Sequence, residues 1–131
     1  MPNTPDRLQL LDSADGGEDA DADRVFINAA ELFGVLATPL RLRILNAICN
    51  QERSVGDIID AVESTQPNVS QHLKVLYQAG IVAKRRMGNS VYYRVQSEKA
   101  VQLCRTVCTQ IAIELDDPGA IAQSDRLSRR I

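Results

Sequence analysis

Apolar side chains recur every three or four residues through much of the chain, which is the spacing of amphipathic helices. The first such stretch begins near Arg24 and ends near Leu36. The second begins at Pro39, directly behind Thr38, and runs to about Asn50. Thr is a favoured capping residue and Pro a favoured first helical residue, so the two stretches predict two helices separated by a sharp break.

A short helix and a longer helix are predicted next, with a brief turn between them. Ser54 is a capping residue for the short helix, which runs through Val62. Thr65 caps the longer helix, which continues to Ala79 and stops at Gly80. A short helix, a turn and a longer helix form the layout of a helix-turn-helix.

The pattern then changes to the period of two that is typical of strands. Residues 81–87 and 90–95 predict a two-stranded hairpin with Gly88 and Asn89 at its turn. Residues 97–115 predict a last helix with an apolar stripe at alternating steps of three and four, the spacing of a seam between helices. The stripe comprises Val101, Cys104, Cys108, Ile111 and Leu115. The fold class is therefore mainly α with a β-hairpin wing (α+β), with five helices and a two-stranded wing.

The charge is divided unevenly along the 131 residues. Residues 1–23 hold seven acidic and one basic residue, a net charge of −6, whereas residues 24–131 hold fourteen basic and ten acidic residues, a net charge of +4. A basic body is what a polyanionic partner requires. We predict a disordered acidic tail over 1–23, a folded domain over 24–117 and a flexible tail over 118–131.

Several classes of protein are not indicated. No apolar run approaches the roughly 18 residues of a membrane span, and the N-terminus lacks the pattern of a secretion signal, so we expect a cytoplasmic protein with reduced thiols. His72 is the only histidine, and we find no Gly-rich phosphate loop and no paired carboxylates in a predicted pocket. We therefore expect neither an enzyme nor a bound cofactor.

Three stretches resemble the ArsR family of winged-helix regulators. They are Thr-Pro-Leu-Arg-Leu-Arg-Ile-Leu over 38–45, Pro-Asn-Val-Ser-Gln-His-Leu-Lys-Val-Leu-Tyr-Gln-Ala-Gly-Ile-Val over 67–82, and Arg-Arg-Met-Gly-Asn-Ser-Val-Tyr-Tyr-Arg over 85–94. The resemblance implies a winged helix-turn-helix homodimer, joined through its first and last helices, that represses transcription. A two-fold dimer implies an inverted-repeat operator in double-stranded DNA.

Under this interpretation the helix after the turn enters the major groove and its first residues reach base edges. Uncharged donors and acceptors stand there, whereas the basic residues of the helix and wing suit phosphates. Ser70 is as well explained by capping or by a phosphate contact, and His72 by packing. The candidate DNA-binding residues are Gln66, Asn68, Ser70, Gln71, His72, Lys74, Lys84, Arg85, Arg86 and Arg94.

Two metal sites that recur in the ArsR family do not match this sequence. The cysteine box at the third helix reads Glu-Arg-Ser-Val-Gly-Asp-Ile over 52–58 and has no thiol. The positions of the last-helix site hold Ser97, Lys99, Gln110 and Ile113, which do not suit zinc.

The candidate sensor residues are thus Cys49, Cys104 and Cys108, and three explanations stay open for them. The first is a disulfide or polysulfide link between the second and last helices, driven by a reactive sulfur species or an oxidant. The second is coordination of a thiophilic ion such as arsenite, antimonite or cadmium by all three thiolates. The third is that all three are small core residues.

A winged-helix module that binds a protein partner and senses nothing is the remaining alternative, because winged helices also serve as protein-interaction modules. Alanine substitutions at the start of the recognition helix separate this alternative from a DNA-binding regulator.

Overall fold

The computed structural model describes residues 16–116, which form two compact units divided after Ala37. The first unit contains helix α1 (Gly16–Leu36). This helix begins eight residues before the predicted start at Arg24, so part of the predicted acidic tail is helical. Acidic side chains are favourable near the positive end of a helix dipole, and Asp21 also pairs with Arg24 one turn on, at 3.3 Å. Residues 1–15 of the predicted acidic tail, and the whole predicted tail over 118–131, lie outside the described residues.

The second unit holds the other elements. In chain order they are α2 (Pro39–Ile48), β1 (Arg53–Ser54), α3 (Val55–Val62), α4 (Gln66–Gln78), β2 (Val82–Met87), β3 (Ser90–Val95) and α5 (Glu98–Asp116). The mainly α fold with a β wing is confirmed. The predicted two-stranded wing is the β2–β3 hairpin, and a further strand that was not predicted, β1, pairs with β3 to make an antiparallel sheet in the order β1-β3-β2.

The predicted helix starts are confirmed by three side-chain caps. Thr38 Oγ1 accepts a hydrogen bond from the Arg41 amide at 3.2 Å, and Ser54 Oγ accepts one from the Asp57 amide at 3.1 Å. Thr65 Oγ1 accepts one from the Asn68 amide at 3.4 Å. Each cap satisfies an amide that has no partner within its own helix, which fixes where α2, α3 and α4 begin.

Helix α4 ends in a tight motif that leads directly into the wing. Gly80 has a φ of +77°, and its amide donates to the Tyr77 carbonyl at 3.0 Å. The Ile81 amide donates to the Leu76 carbonyl at 2.9 Å, which completes a Schellman motif. Only three residues separate α4 from β2, so the wing root is hydrogen-bonded to the last turn of α4.

A buried apolar cluster seats α4. Its inner stripe, Val69, Leu73 and Leu76, is almost completely buried, and α4 contacts both α2 and α3. The buried residues of those two helices are Ile44, Leu45, Ile48, Ile58 and Val62. Because one face of α4 is fully used by the core, the opposite face is left to solvent.

No single helix within residues 16–116 is both long and apolar enough to cross a membrane. One broken pair, Asp19–Leu36 with Pro39–Ile48, passes the same test on length and composition together.

The turn between α3 and α4 contains Glu63 in the left-handed conformation, with φ 54° and ψ 51°. A side chain with a Cβ is strained in this conformation, at a cost of about 1 kcal/mol, whereas glycine is not. We therefore expect Glu63→Gly to raise the free energy of unfolding by about 0.5–1 kcal/mol, measured by urea denaturation.

The matched control for this change is Ala61→Gly, which introduces glycine into an exposed position inside α3. It is expected to lower stability by about 1 kcal/mol, since glycine is a poor helix former. A loss of stability in both variants would contradict the strain assigned to Glu63.

Candidate nucleic-acid interface and thiol cavity

The solvent face of α4 carries most of the predicted base-reading side chains. Gln71 and Lys74 are exposed, and the helical spacing places them on one line with Pro67 and Gln78. Ser70 is exposed beside this line, and Gln66 and Asn68 are exposed at the first turn. Gln78 was missed by sequence reasoning, although its spacing of four residues from Lys74 places it on the same face.

Asn68 and His72 are partly engaged within the protein. The Asn68 amide group donates to Ser64 Oγ at 3.4 Å. His72 is half-buried, and its Nδ1 accepts a hydrogen bond from Arg41 Nε at 3.0 Å. His72 therefore links α4 to α2 and does not belong to the outward line.

The basic residues of the wing are divided between the two faces of the sheet. Residues that pair directly across strands share a face, and successive residues alternate. Lys84 pairs with Tyr93 and Arg86 with Val91, so Lys84 and Arg86 share one face. Arg85 pairs with Tyr92 and Arg94 with Ala83, which places both arginines on the other face. The wing therefore does not present a single basic patch.

The face with Lys84 is continuous with α4. Lys84 Nζ lies 4.4 Å from the ring centroid of Tyr77, an exposed residue in the last turn of α4. Tyr93, the strand partner of Lys84, is partly buried close to Tyr77, and burial raises the pKa of its phenol above the usual value. Lys84 and Arg86 thus extend the solvent surface of α4 into the wing.

The other face is partly neutralised. Arg85 forms two hydrogen bonds with the carboxylate of Glu52, Nε to Oε2 at 2.8 Å and Nη2 to Oε1 at 2.6 Å. Its guanidinium also lies 5.6 Å from the ring centroid of Tyr92. Hydrogen bonding to Arg85 lowers the pKa of the Glu52 carboxyl below its ordinary value, so the pair is ionised at neutral pH. Of the four basic wing residues, Arg85 is the one whose charge is matched by a carboxylate within the described chain.

The three cysteines line one small cavity between α2 and α5. Its volume is about 130 Å³. Cys49 follows the last turn of α2, and its Sγ donates to the Asn46 carbonyl at 3.3 Å. Cys104 and Cys108 are one turn apart on α5, and apolar side chains such as Leu42, Leu45 and Val101 complete the wall. All three thiols are free.

The two thiols of α5 differ in their surroundings. Cys104 is half-buried, and burial, followed by the neighbouring Cys108, raises the pKa of its thiol above the ordinary value. Cys108 is exposed. Within residues 16–116, no three His, Cys, Asp or Glu side chains are grouped so that they could hold a metal ion. The cavity thus brings thiols together without forming a preassembled metal site.

Comparison with known proteins identifies the family. The model for bacterial regulatory proteins of the arsR family matches residues 38–84, which span α2 to the middle of β2. The chain is 37% identical over 98 residues to the uncharacterized HTH-type transcriptional regulator Rv0081 of Mycobacterium tuberculosis, covering 74% of this chain and 86% of that protein. The chain belongs to the ArsR family.

Solved structures agree with this assignment. The transcriptional repressor BigR from Xylella fastidiosa matches with a TM-score of 0.64 and 33% identity, over 70% of this chain and 93% of BigR. The homodimeric winged helix-turn-helix domain Mb0332 from Mycobacterium bovis matches with a TM-score of 0.64 and 27% identity, over 80% of this chain and 94% of that domain. This ArsR-family chain is accordingly a DNA-binding transcriptional regulator with a winged helix-turn-helix.

The surroundings of the α5 thiols predict an order of reactivity. Limiting iodoacetamide at mildly alkaline pH should label Cys108 faster than Cys104, because the thiolate is the nucleophile and Cys104 is shielded with a raised pKa. Peptide mass mapping after short exposures measures the two rates. In urea, where burial is lost, the rates should converge. Faster labelling of Cys104 in the folded protein would contradict the assigned burial.

Proposed function

We propose that this ArsR-family regulator is a homodimeric repressor that binds an inverted-repeat operator and leaves it when its cysteines are oxidised or persulfurated. The observation that supports the switch is the shared cavity, which Cys49 from the end of α2 lines together with Cys104 and Cys108 from α5. Cys49 is distant in sequence from Cys104 and Cys108, and all three line this one cavity.

The exposed line on α4 supports base reading in the major groove. The amides of Gln66, Asn68 and Gln71 suit bidentate contacts with adenine, and Ser70 suits either a base or a phosphate. Lys74 suits a phosphate. In the wing, Lys84 and Arg86 continue the α4 surface, and Arg94 lies on the opposite face. His72 is assigned a positioning role through Arg41, which keeps it out of the base-reading set.

Exposed apolar side chains support a dimer. On α5, Ile111 is 46% exposed and Leu115 is 54% exposed, and both continue the stripe that begins at the buried Val101. On α1, Phe26 is 69% exposed and Phe33 is 57% exposed. Each helix therefore presents apolar area to water in a single chain, and burial of this area by a second copy is favourable at about 25 cal/mol per Å².

The chemistry of the switch begins at Cys108, the α5 thiol that is exposed in the single chain. The Cys108 thiolate attacks the outer sulfur of a low-molecular-weight persulfide, an S–S bond forms on Cys108, and the donor leaves as a thiolate. The Cys49 thiolate then attacks the Cys108 sulfur, a disulfide forms, and hydrosulfide leaves. With hydrogen peroxide, the Cys108 thiolate becomes a sulfenic acid as hydroxide leaves, and the attack of the Cys49 thiolate then forms the disulfide and releases a second hydroxide. Cys104 is the alternative partner on α5.

The crosslink acts on α2, the helix against which the recognition helix α4 packs. A disulfide needs a Cα separation of about 5.5 Å, so its formation restrains the end of α2 against α5 across the cavity. Helix α2 packs on α4 and holds His72 through Arg41. A shift of α2 therefore moves α4, and two α4 helices that lose their spacing no longer fit two half-sites.

Coordination of a thiophilic ion is the second explanation for the same thiols. The described residues hold no ready group of three ligands, and the raised pKa of Cys104 disfavours its thiolate. The geometry therefore favours the covalent switch, and the ion becomes an outcome of the test below.

Removal of the polar amides at the start of α4 should abolish sequence-specific binding. The triple variant Gln66→Ala, Asn68→Ala, Gln71→Ala is expected to weaken operator affinity by at least about 100-fold, since each bidentate base contact is worth about 1–3 kcal/mol. Fluorescence anisotropy with operator and scrambled DNA measures the loss. Sedimentation should show an unchanged dimer. Retained specific binding would contradict the assigned base contacts. Binding to a protein partner alone, unaltered in the triple variant, would favour an interaction module.

The thiol switch predicts that oxidation releases DNA. Reduced protein should bind its promoter DNA tightly, and treatment with an organic tetrasulfide or peroxide should lower the affinity by at least about tenfold, with intact mass showing added sulfur or the loss of two hydrogens. Cys49→Ser and Cys108→Ser should each abolish the response. Cys104→Ser is the matched control and should respond, whereas a response lost in Cys104→Ser and kept in Cys108→Ser would assign Cys104 as the α5 partner. Release of DNA by arsenite alone would favour ion binding by the thiols. If no treatment released DNA, the three cysteines would be interpreted as core residues.

A further inference from the structure

Glu52 stands where the wing joins the rest of the domain. It directly precedes β1, whose residues Arg53 and Ser54 pair with Tyr93 and Tyr92 of β3. Alternation along the strand places Glu52 on the same side of the sheet as Ser54 and Tyr92. Arg85, which pairs with Tyr92 from the other side, shares this face. Glu52 thus reaches across the central strand to Arg85 on the outer strand.

The contact between Glu52 and Arg85 uses the geometry that an arginine offers to a phosphate. Two N–H groups of one guanidinium point at two oxygens, at 2.8 and 2.6 Å. Arg–carboxylate and Arg–phosphate pairs share this forked arrangement, so the two acceptors compete for the same donors. The Tyr92 ring, 5.6 Å from the guanidinium, adds a second restraint on its position.

Arg85 is nevertheless accessible from solvent. Its side chain is 46% exposed, whereas that of Glu52 is 24% exposed. A phosphate could therefore reach Arg85 if the carboxylate were absent. The carboxylate also lies near Arg94, whose charge contributes to the lowered pKa of Glu52. One acidic residue accordingly reduces the positive charge of the whole Arg85–Arg94 face.

We infer that Glu52 is a specificity-determining residue, whose carboxylate takes the place of a DNA phosphate on Arg85 and so keeps sequence-independent binding weak. Phosphate contacts supply affinity for any sequence, whereas base contacts distinguish the operator. Withholding one arginine from phosphates lowers nonspecific affinity and leaves the α4 base contacts untouched. The inference rests on the proposed contact between wing and DNA, and it removes Arg85 from the contact set predicted from sequence.

The test is the salt dependence of binding to a nonspecific DNA duplex, measured by fluorescence anisotropy for four proteins: wild type, Glu52→Gln, Arg85→Gln and the double variant. Each phosphate contact adds about 0.9 to the slope of log K against log salt. Glu52→Gln should steepen the slope by about 0.9. Over a fourfold drop in salt, the affinity of this variant should then rise about threefold more than the affinity of the wild type. Arg85→Gln alone should leave the slope unchanged, and the double variant should lose the gain of Glu52→Gln.

The matched control is Asp60→Asn, which removes one negative charge from an exposed residue of α3 that forms no ion pair with the described residues. It should change the slope far less than Glu52→Gln. A slope reduced by about 0.9 in Arg85→Gln alone would overturn the inference, because Arg85 would already contact a phosphate. Equal slopes for Glu52→Gln and Asp60→Asn would also overturn it. If thermal unfolding shows that Glu52→Gln does not fold, the salt slope of Arg85→Gln tests the inference by itself: an unchanged slope supports it, and a slope reduced by about 0.9 contradicts it.

These outcomes are distinct from a failure of the proposed function. Loss of operator specificity in the α4 triple variant tests base reading and does not involve Arg85. If the wild-type protein binds the operator but the slopes contradict the expected pattern, the inference about Glu52 is wrong and the proposed function still holds.

Discussion

Burial of the inner stripe of α4 is the constraint on which the rest of the second unit depends. Val69, Leu73 and Leu76 have almost no contact with solvent, so α4 has one rotational setting relative to α2 and α3. A helix whose buried face is fixed has its solvent face fixed as well. The direction of Gln71 and Lys74 is therefore determined by the side chains that point the opposite way.

Much of this arrangement could be predicted from the sequence, because it depends on local signals. Thr38, Ser54 and Thr65 cap helices wherever the surrounding chain is folded, and Gly80 ends α4 by its φ of +77°. The pattern also predicted the hairpin turn, where Gly88 has a φ of +63°. Each of these features depends on a few adjacent residues, so spacing alone identifies it.

The features that were missed depend on residues distant in sequence. The strand β1 has two residues, too few for any alternation, and exists because β3 offers it a partner. The pairing of Arg85 with Glu52 joins positions 33 residues apart, so the spacing of neighbouring residues does not indicate it. The start of α1 was placed too late because its acidic residues were interpreted as a disordered tail, although acidic residues also suit a helix N-terminus. For the cysteines, the sequence identified the set and the fold supplied the cavity.

The Schellman motif at the end of α4 has a consequence for chain length. The Ile81 and Gly80 amides are bonded to the last turn of α4, and the Ile81 carbonyl accepts from both Gln96 and Ser97, at 2.8 and 3.1 Å. The root of the wing is therefore closed on both sides, and one inserted residue there would turn every following side chain to the opposite face. At Gly88 and Asn89 the chain is exposed, so extra residues are accommodated without disturbing the root. Related proteins should consequently vary in length at the tip of the wing and keep a constant length at its root.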